Sequence, residues 1–276
     1  MSKIAYDPTK DKFAVLIRRN RFLRWLFYIL LDLFFLRSWH VRKKLRETAS
    51  KQTGVTQVLD AGCGFGQYDR HLLRYFPQSQ VLAVDIKEDY IEDCRYFYDR
   101  SAWKDRIRFQ VADLLQWHEG PKYEVVLCVD VLEHIEEDVE VMRRLTGSMD
   151  DGARLVVHSP SIYAEEDAGD DEFFVDEHAR VGYSVEELSE KMKQAGLNPV
   201  DVHYTYGKYG HAAWVMLIKY PMLWLTNLGF GAIILLPFWY LFTFIPGMIL
   251  NRMDRNRKSD KGTGIVGVAE KPKQKA

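Results

Sequence analysis

Short apolar runs alternate with amphipathic stretches through the middle of the chain. Five of these runs have the length and composition of buried strands: 57–60, 80–85, 107–111, 123–129 and 154–158. Helical patterns extend from the first run to about Tyr75 and from the second to about Tyr98, and another covers 138–145. Because strands buried on both faces are apolar throughout, this alternation predicts a parallel sheet with helices on both sides.

The alternation continues after an acidic stretch. Ser184 followed by Glu187 is the pattern of a capping box, which predicts a helix that ends at Gly196. The segment 199–206 alternates like a sixth strand, and 265–269 follows a glycine-containing turn as one further short strand. These segments predict a doubly wound α/β domain with a sheet of seven strands.

The segment 22–36 is apolar on nearly every side. As a helix it would extend about 22 Å, which is less than the roughly 30 Å hydrocarbon core of a bilayer. Basic residues precede and follow it, and Trp25, Tyr28 and Trp39 are aromatic side chains of the kind that favour the headgroup level. These features predict a helix in the membrane interface. The alternative is a helix packed on the protein's own core.

A second apolar segment, 220–250, contains no charged residue and is interrupted by Pro221, Pro237 and Pro246. If 265–269 joins the sheet beside 199–206, the chain must return to the side that it left, so an odd number of membrane crossings is excluded. Two crossings need about forty apolar residues, more than the segment holds. It therefore predicts a shallow helical hairpin in one leaflet. The alternative is an apolar subdomain that caps the active site or joins two subunits.

Composition adds three constraints. The 38 basic and 39 acidic residues nearly cancel, which gives no general attraction for nucleic acid. The first 46 and the last 25 residues are basic beside the apolar segments, as expected for contact with an anionic membrane surface. Three separated cysteines without a CxxC pair favour a reducing compartment, and the N-terminus does not have the pattern of a cleavable signal.

The sequence VLDAGCGFGQY, residues 58–68, lies where the first strand turns into the first helix. Gly62, Gly64 and Gly66 permit a tight turn and the close approach of a ligand to the helix N-terminus. By itself such a turn is compatible with a dinucleotide site, a methyl-donor site or a turn without a ligand. The GxGxG spacing departs from the GxGxxG fingerprint of dinucleotide sites.

Two acidic residues follow at the next strand ends. Asp85 closes the second strand at the distance at which a carboxylate can accept hydrogen bonds from both ribose hydroxyls. Asp113 closes the third strand and can meet an adenine amino group, with Ile86 or Leu114 against the ring. Either acid alone could be an ordinary strand-end residue. Three such features at successive strand ends indicate a ligand along that edge of the sheet.

The chain here resembles the class I S-adenosylmethionine-dependent methyltransferases. VLDAGCGFGQY, VLAVDIKEDYI, FQVADL and YEVVLCVDVLEHI match four motifs of that family in order, and the resemblance covers about 55–207. It implies a Rossmann-like, mostly parallel sheet that ends in an antiparallel strand, and S-adenosylmethionine as cofactor. The cofactor-binding residues that it implies are Asp60, Gly62, Cys63, Gly64, Gly66, Asp85, Ile86, Asp113, Leu114 and Asp130, the last beside the donor methyl group.

The fourth motif also suggests a catalytic group. DVLEHI resembles quinone- and lipid-type methyltransferases, in which Glu133 and His134 would face the acceptor. His134 is the first candidate for a general base, and His158 and His178 are weaker ones. Two alternatives remain open: His134 could be a structural cap, and methyl transfer can proceed by alignment alone without a base. No metal site is expected.

The predicted organisation is a membrane-interfacial N-terminal segment, 1–50, a cofactor-binding catalytic domain, 51–210, an apolar hairpin, 211–258, and the last strand with a basic tail, 259–276. The predicted function is methylation of a hydrophobic small molecule or lipid, on oxygen by preference, at the cytoplasmic face of a membrane. The predicted partners are the lipophilic acceptor, the membrane surface and a possible second copy of the chain. The alternatives are an NAD-dependent oxidoreductase and a non-catalytic membrane-bound scaffold.

Overall fold

The computed structural model describes residues 20–118, 120–164 and 179–273, so His178 lies outside the described residues. Seven strands form one sheet: β1 Gln57–Ala61, β2 Gln80–Asp85, β3 Ile107–Val111, β4 Tyr123–Val129, β5 Met149–Pro160, β6 Asn198–Thr205 and β7 Gly264–Glu270. The α-helices are α1 Arg21–Phe34, α2 Leu36–Lys51, α3 Asp69–Tyr75, α4 Glu88–Tyr98, α5 Asp138–Gly147, α6 Val185–Gln194, α7 Lys208–Trp214, α8 Tyr220–Leu228 and α9 Phe230–Arg255.

The strand order is β3-β2-β1-β4-β5-β7-β6, and β7 runs antiparallel to both of its neighbours. The predicted Rossmann-like, mostly parallel sheet of seven strands is therefore confirmed. The fifth strand is longer than predicted and begins at Met149. The predicted cap of α6 is present, since the Ser184 hydroxyl accepts the Glu187 N–H at 3.0 Å, and this helix ends at Gln194, two residues before Gly196.

Two buried apolar clusters lie on opposite faces of the sheet. Helices α2, α3 and α4 contribute Val41, Leu72 and Ile91 to one of them. Helices α5 and α6 contribute Met142 and Leu188 to the other. Alternate residues of each central strand enter the two clusters, as expected for a sheet that is buried on both sides. The carboxyl ends of the parallel strands consequently meet at one edge, where the polar residues of the motifs lie.

The N-terminal apolar segment forms two helices that break at Phe35, which has an extended backbone. Helix α1 turns its polar residues inward: Arg24, Tyr28 and Asp32 are buried against the domain. Its apolar residues Phe22 and Trp25 are exposed, at 63% and 49%. The placement of Tyr28 at the headgroup level was therefore wrong. The Tyr28 hydroxyl instead donates to the Phe65 carbonyl of the glycine turn.

Asp32 attaches α1 to the domain. Its carboxylate accepts from Arg70 and Ser38, from Gln67 at 3.2 Å, and pairs with His71 at 2.6 Å. Burial alone would raise the pKa of Asp32, but His71, Ser38 and Arg70 together hold it below its ordinary value. The residue that interrupts the apolar pattern of this segment is thus the centre of a buried polar network.

We expect Asp32→Ala to lower the free energy of unfolding by about 3 kcal/mol, because it leaves buried cationic groups without their counter-ion. Urea denaturation monitored by circular dichroism measures the change. Asp105→Ala removes an exposed carboxylate and should stay within about 0.5 kcal/mol of wild type. Equal stability of the two variants would show that α1 is not held by this network.

The predicted helical hairpin precedes β7. Its first arm runs through α7, the π-helical turn Val215–Lys219 and α8, and its second arm is α9, with the reversal at Gly229. Pro221 lacks the N–H that an α-helix would donate to Leu217, and the Tyr240 hydroxyl donates to that carbonyl at 2.8 Å. The Trp239 indole donates to the Met216 carbonyl, also at 2.8 Å. Side chains of one arm therefore satisfy backbone groups of the other, which is how interrupted helices persist where water is absent.

The outer face of the hairpin is apolar and exposed. Leu241 and Phe242 are 72% and 75% exposed, and Ile234 and Ile245 are similar. One helix in the described part of the chain, Ile234–Arg255, is long and apolar enough to cross a membrane, and only 17% of its apolar 18-residue stretch is buried in the protein. A core helix of a soluble domain would be mostly buried. An exposed apolar surface of this size is typical of a site that contacts a membrane or another protein.

Both ends of the hairpin are attached to the catalytic domain. The buried Asp254 carboxylate, near the end of α9, accepts the Gly210 N–H at 3.0 Å and the Tyr206 N–H at 3.1 Å. It also pairs with His40 of α2 at 3.0 Å. The start of α7 and the end of α9 therefore share one buried anchor, which keeps both ends of the hairpin on the same side of any membrane that it enters.

Candidate active site

The glycine turn after β1 has the backbone that its sequence predicts. Gly62 and Gly64 have φ angles of +88° and +51°, a region that favours glycine. The N–H groups of Gly62 and Cys63 both donate to the Val84 carbonyl, at 2.8 and 2.9 Å, which fixes the turn against β2. A Cβ on Gly62 would lie 2.2 Å from the Val131 side chain, whereas one on Gly64 would meet nothing within 4 Å. The turn is thus closed on its inner side and open at Gly64.

Two carboxyl groups are buried beneath this turn. Asp60, at the end of β1, and Asp69, at the start of α3, are 2% and 0% exposed. Apart from each other, Asp60 Oδ2 and both Asp69 carboxyl oxygens have no hydrogen-bond partner. Burial, with their mutual repulsion added at Asp60, raises the pKa of each well above its ordinary value. Without a ligand the pair therefore retains a proton, and a cationic ligand group beside it, such as the ammonium of methionine, would stabilise the ionised carboxylates.

Asp85 is fixed at the adjacent strand end. Its carboxylate accepts the Gly64 N–H at 2.8 Å and the Lys87 N–H at 2.9 Å. The side chain is half-buried and the neighbouring Ile86 is 65% exposed. These two residues present a carboxylate and an apolar surface side by side, which is what a ribose followed by an adenine ring requires.

Asp113 follows β3 and accepts the Leu115 N–H at 2.9 Å. Leu114 is only 7% exposed and belongs to the apolar core. Of the two residues proposed to meet the adenine ring, Ile86 therefore offers the free side chain. Gly66 closes the turn from below, where its carbonyl accepts the Tyr98 hydroxyl at 2.9 Å, and Cys63 is buried.

A second polar group lies at the ends of β4 and β5. Asp130 has a φ of +51°, which is uncommon outside glycine, and its Oδ1 lies 2.8 Å from Nδ1 of His158. The Arg37 guanidinium, from the first turn of α2, donates to the other oxygen. Burial alone would raise the pKa of Asp130, but Arg37 and His158 hold it below its ordinary value. Asp130 is therefore an anion that orients His158.

Several polar atoms in this group are buried without a partner. They are Nε2 of His158, the Tyr68 hydroxyl and Nε of Arg37. The Tyr206 ring packs edge-on to His158 with centroids 5.7 Å apart, and Tyr206 has a φ of +58°. Unusual backbone conformations and unpartnered polar atoms concentrate at binding and catalytic sites. We call Arg37, Tyr68, Asp130, His158 and Tyr206 the Asp130–His158 site.

Glu133 and His134 are placed differently from each other. Glu133 is fully buried, where its Oε2 accepts the Ser159 hydroxyl at 2.7 Å and its Oε1 has no partner. Its role opposite the acceptor stays a prediction. His134 is exposed on the short 3₁₀ turn Leu132–His134. His158, one of the two weaker candidates in the sequence, is held by the Asp130 carboxylate.

Burial raises the pKa of Glu133 from an ordinary 4.5 to about 8, and the nearby Asp130 adds to the shift. Between those two values the folded protein keeps a proton that the unfolded chain has lost, so stability falls as pH rises. We therefore compare how the free energy of unfolding depends on pH in wild type and in Glu133→Gln. Between roughly pH 5 and 8, the wild-type value should fall with rising pH by up to about 1.4 kcal/mol per pH unit more than that of the variant. Urea titrations across this range measure the difference. Glu92→Gln, at an exposed position, is the control and should show the same pH dependence as wild type. The same pH dependence in Glu133→Gln and wild type would contradict the raised pKa of Glu133.

Comparison with known proteins agrees with this geometry. Residues 58–152 match a family model described as a methyltransferase domain. Over 73 residues, 26% of this chain, the sequence is 30% identical to a tRNA1(Val) (adenine(37)-N6)-methyltransferase of Vibrio cholerae. Over 121 residues, 42% of this chain, it is 23% identical to a ubiquinone biosynthesis O-methyltransferase of Xanthomonas axonopodis. These alignments span 30% and 50% of the two relatives.

Solved structures extend the likeness to most of the chain. The [4+2]-cyclase SpnF has a TM-score of 0.57 at 15% identity, and the match covers 86% of this chain and 82% of that one. The N-methyltransferase NodS from Bradyrhizobium japonicum, solved with S-adenosyl-L-homocysteine, has a TM-score of 0.53 at 12% identity, and covers 88% and 91%. At such identities the likeness shows the fold alone.

The chain contains a class I S-adenosylmethionine-dependent methyltransferase domain. The matched family model, the strand order and the glycine turn all agree on this class, and the NAD-dependent alternative loses its basis. S-adenosylmethionine is the cofactor of the class, and the residues present fit it. Asp60 and Asp69 would hold the methionine end, Asp85 the ribose, and Ile86 and Asp113 the adenine.

The sequence missed four residues of these two sites. Asp69 directly follows the glycine motif and could have been found as a further acid next to it. Arg37 and Tyr206 contact Asp130 and His158 only through the fold, from segments far away in the chain. Tyr68 was included in the motif without a role. Among the described residues no group of His, Cys, Asp and Glu could hold a metal ion.

Proposed function

We propose that the protein transfers a methyl group from S-adenosylmethionine to a hydroxyl group of a hydrophobic small molecule or lipid at a membrane surface. The observation that carries the proposal is the Asp130–His158 pair, whose Nε2 is buried and unpartnered at the strand edge that holds the cofactor motifs. A histidine held by a carboxylate at Nδ1 has its other nitrogen available as a base.

S-adenosylmethionine supplies an electrophilic methyl group on a sulfonium sulfur. With the cofactor held by Asp60, Asp69 and Asp85, the acceptor oxygen would take the methyl group as the carbon–sulfur bond breaks, with S-adenosylhomocysteine as the second product. His158 Nε2 takes the hydroxyl proton, and the Asp130 carboxylate stabilises the resulting imidazolium. Arg37 keeps Asp130 ionised and in place, so its role is that of a positioning residue. Tyr68 and Tyr206 lie beside Asp130 and His158 and would border the acceptor hydroxyl.

The apolar surface of the protein supports a hydrophobic acceptor. Phe34, at the end of α1, packs on Tyr240 and Phe244 of the hairpin with ring centroids 5.6 and 6.1 Å apart. Three residues later, Arg37 contacts Asp130. The exposed apolar faces of α1 and α9 therefore lie next to the segment that forms one wall of the acceptor site. The Xanthomonas relative, named for ubiquinone biosynthesis, is consistent with an acceptor of this kind.

The hairpin supports a monotopic or peripheral position on the cytoplasmic face of a membrane. Its two ends share the Asp254 anchor, so α9 can cross a bilayer only if the first arm crosses as well. That arm contains Lys219 midway along it, nine residues before Leu228, which leaves about 14 Å of charge-free helix beyond the lysine. This length suits insertion into one leaflet.

The test is an assay for methyl transfer. Purified protein is incubated with methyl-labelled S-adenosylmethionine and an apolar extract of cells, and the organic phase is separated and counted. We expect label in an apolar product that is stable to acid and released only by ether cleavage. Label on a nitrogen or carbon atom would keep the class and change the acceptor atom. Cofactor binding without labelled product in any fraction would favour the scaffold alternative.

A further inference from the structure

A groove of about 360 Å³ lies where the hairpin joins the catalytic domain, and no residue of the Asp130–His158 site lines it. Trp39 of α2 forms one side, and apolar residues of α9, among them Phe244, Met248 and Ile249, form the other. Arg252 and Arg255 line it towards the end of α9. We call this the Trp39 groove. One helix face thus changes from apolar to cationic within about 12 Å.

The cationic end has more positive charge than the domain neutralises. The guanidinium groups of Arg255 and Arg42 lie 5.4 and 6.0 Å from the centre of the Trp39 ring. Lys43 donates to the Arg255 carbonyl at 2.9 Å, which brings a third cation to the same end. Arg42 reaches Asp32 at 3.5 Å. Within 20–118, 120–164 and 179–273, neither Arg252 nor Arg255 pairs with a carboxylate.

Burial and mutual repulsion both act on these cations. Partial burial lowers the pKa of Arg255, and Arg252, Arg46 and Arg42 lower it further. Burial also lowers the pKa of Lys43, and Glu47 offsets part of that effect. An anion between these groups would remove the repulsion. Arginine pairs suit phosphate, because their planar forks donate two parallel hydrogen bonds.

We propose that the Trp39 groove binds an anionic phospholipid, with the headgroup phosphate between Arg252 and Arg255 and an acyl chain along Phe244, Met248 and Ile249. The groove combines the two chemistries of such a lipid in the order in which the lipid carries them. The Trp39 ring lies between the two, with Arg42 and Arg255 against it and its N–H donated to the Leu33 carbonyl at 3.1 Å. The inference deepens the proposed function, since it requires that the hairpin reach a membrane.

The test is flotation of the full-length, detergent-purified protein with vesicles of phosphatidylcholine alone and of phosphatidylcholine mixed with phosphatidylglycerol. Arg252→Gln/Arg255→Gln removes the two groove arginines. Lys208→Gln/Arg257→Gln is the matched control, because it removes two cations beside the same ends of the hairpin that stack on Tyr209 and do not line the groove. Calorimetric titration of S-adenosylmethionine into each variant confirms that it is folded.

We expect wild type to prefer the anionic vesicles and the groove variant to lose about 30-fold of that preference, with binding to neutral vesicles unchanged. The control should lose less than about fivefold. An equal loss of anionic preference in the groove variant and the control would overturn the lipid site. It would show that the basic residues attract the anionic surface without a defined site. Equal binding of wild type to both vesicles would also overturn it, yet would leave membrane association intact. Binding to neither would contradict membrane association as well.

Discussion

Replacing His158 with alanine is expected to lower the rate of methyl transfer about 100- to 1,000-fold while leaving the affinity for S-adenosylmethionine within about twofold. The imidazole is the one group of the Asp130–His158 site with an unpartnered nitrogen that can take a proton. It lies outside the glycine turn, the buried acids and Asp85, so cofactor binding should be unaffected. Single-turnover rates with labelled cofactor, together with calorimetric titration, separate the two effects.

A matched control exists on β6. His203 pairs with Asp201 at 2.9 Å, the same kind of contact as that between His158 and Asp130. His203 lies two strands away, in register with Val266 and His158. His203→Ala should lower stability by a similar amount and retain activity. A loss in His134→Ala with normal rates in His158→Ala would restore the assignment made from the motif alone. Normal rates in both would show that alignment without a base is sufficient.

The second large effect concerns the apolar surface. Phe238→Ser/Leu241→Ser/Phe242→Ser places three hydroxyl groups on the exposed face of α9, where these side chains are 65%, 72% and 75% exposed. If that face is buried in a leaflet, each change should cost about 2 kcal/mol of partition free energy. The sum corresponds to a shift of about 10⁴-fold towards the soluble fraction. Ultracentrifugation of cell lysates, with the protein detected in pellet and supernatant, measures it.

Tyr96→Ser/Val200→Ser is the control, because both residues are exposed and apolar but lie outside the hairpin. It should remain in the membrane fraction. Cofactor affinity should be equal in wild type and both variants, since none of these residues contacts the cofactor motifs. A different result would point to a dimer interface. If wild type is an oligomer in the supernatant and the triple variant is a monomer, the apolar face joins two subunits instead of entering a leaflet.

How far the sequence determines this structure differs between its parts. The strands β1, β2 and β4 follow from apolar runs, because burial on both faces leaves little freedom for other residues, whereas the edge strand β3 alternates buried and exposed residues. The glycine turn follows from positive φ angles that glycine adopts most readily. The hairpin follows from the absence of charge over 220–250 and the turn at Gly229.

The surroundings of 22–36 and of the candidate bases could be predicted only in part, for one physical reason. Periodicity shows that a helix is amphipathic, but not which partner each face meets. In α1 the few polar residues form the buried face, since Asp32 and Arg24 find partners on the domain. The proposed role of His158 depends on its contact with Asp130, which is 28 residues away in sequence. Asp130 in turn is held by Arg37, which is 93 residues away from it. Such contacts arise from topology and leave no local pattern.

The measurement that tests the account most directly is calorimetric titration of S-adenosylmethionine and of NADH into detergent-purified protein, repeated with Asp85→Ala. The fold and the glycine turn predict micromolar binding of S-adenosylmethionine alone. Loss of the Asp85 carboxylate, which also holds the Gly64 N–H, should weaken that binding about 100-fold or more, because a pair of ribose hydrogen bonds and the fixed turn are lost together. Absence of S-adenosylmethionine binding, or tight binding of NADH in its place, would contradict the central claim.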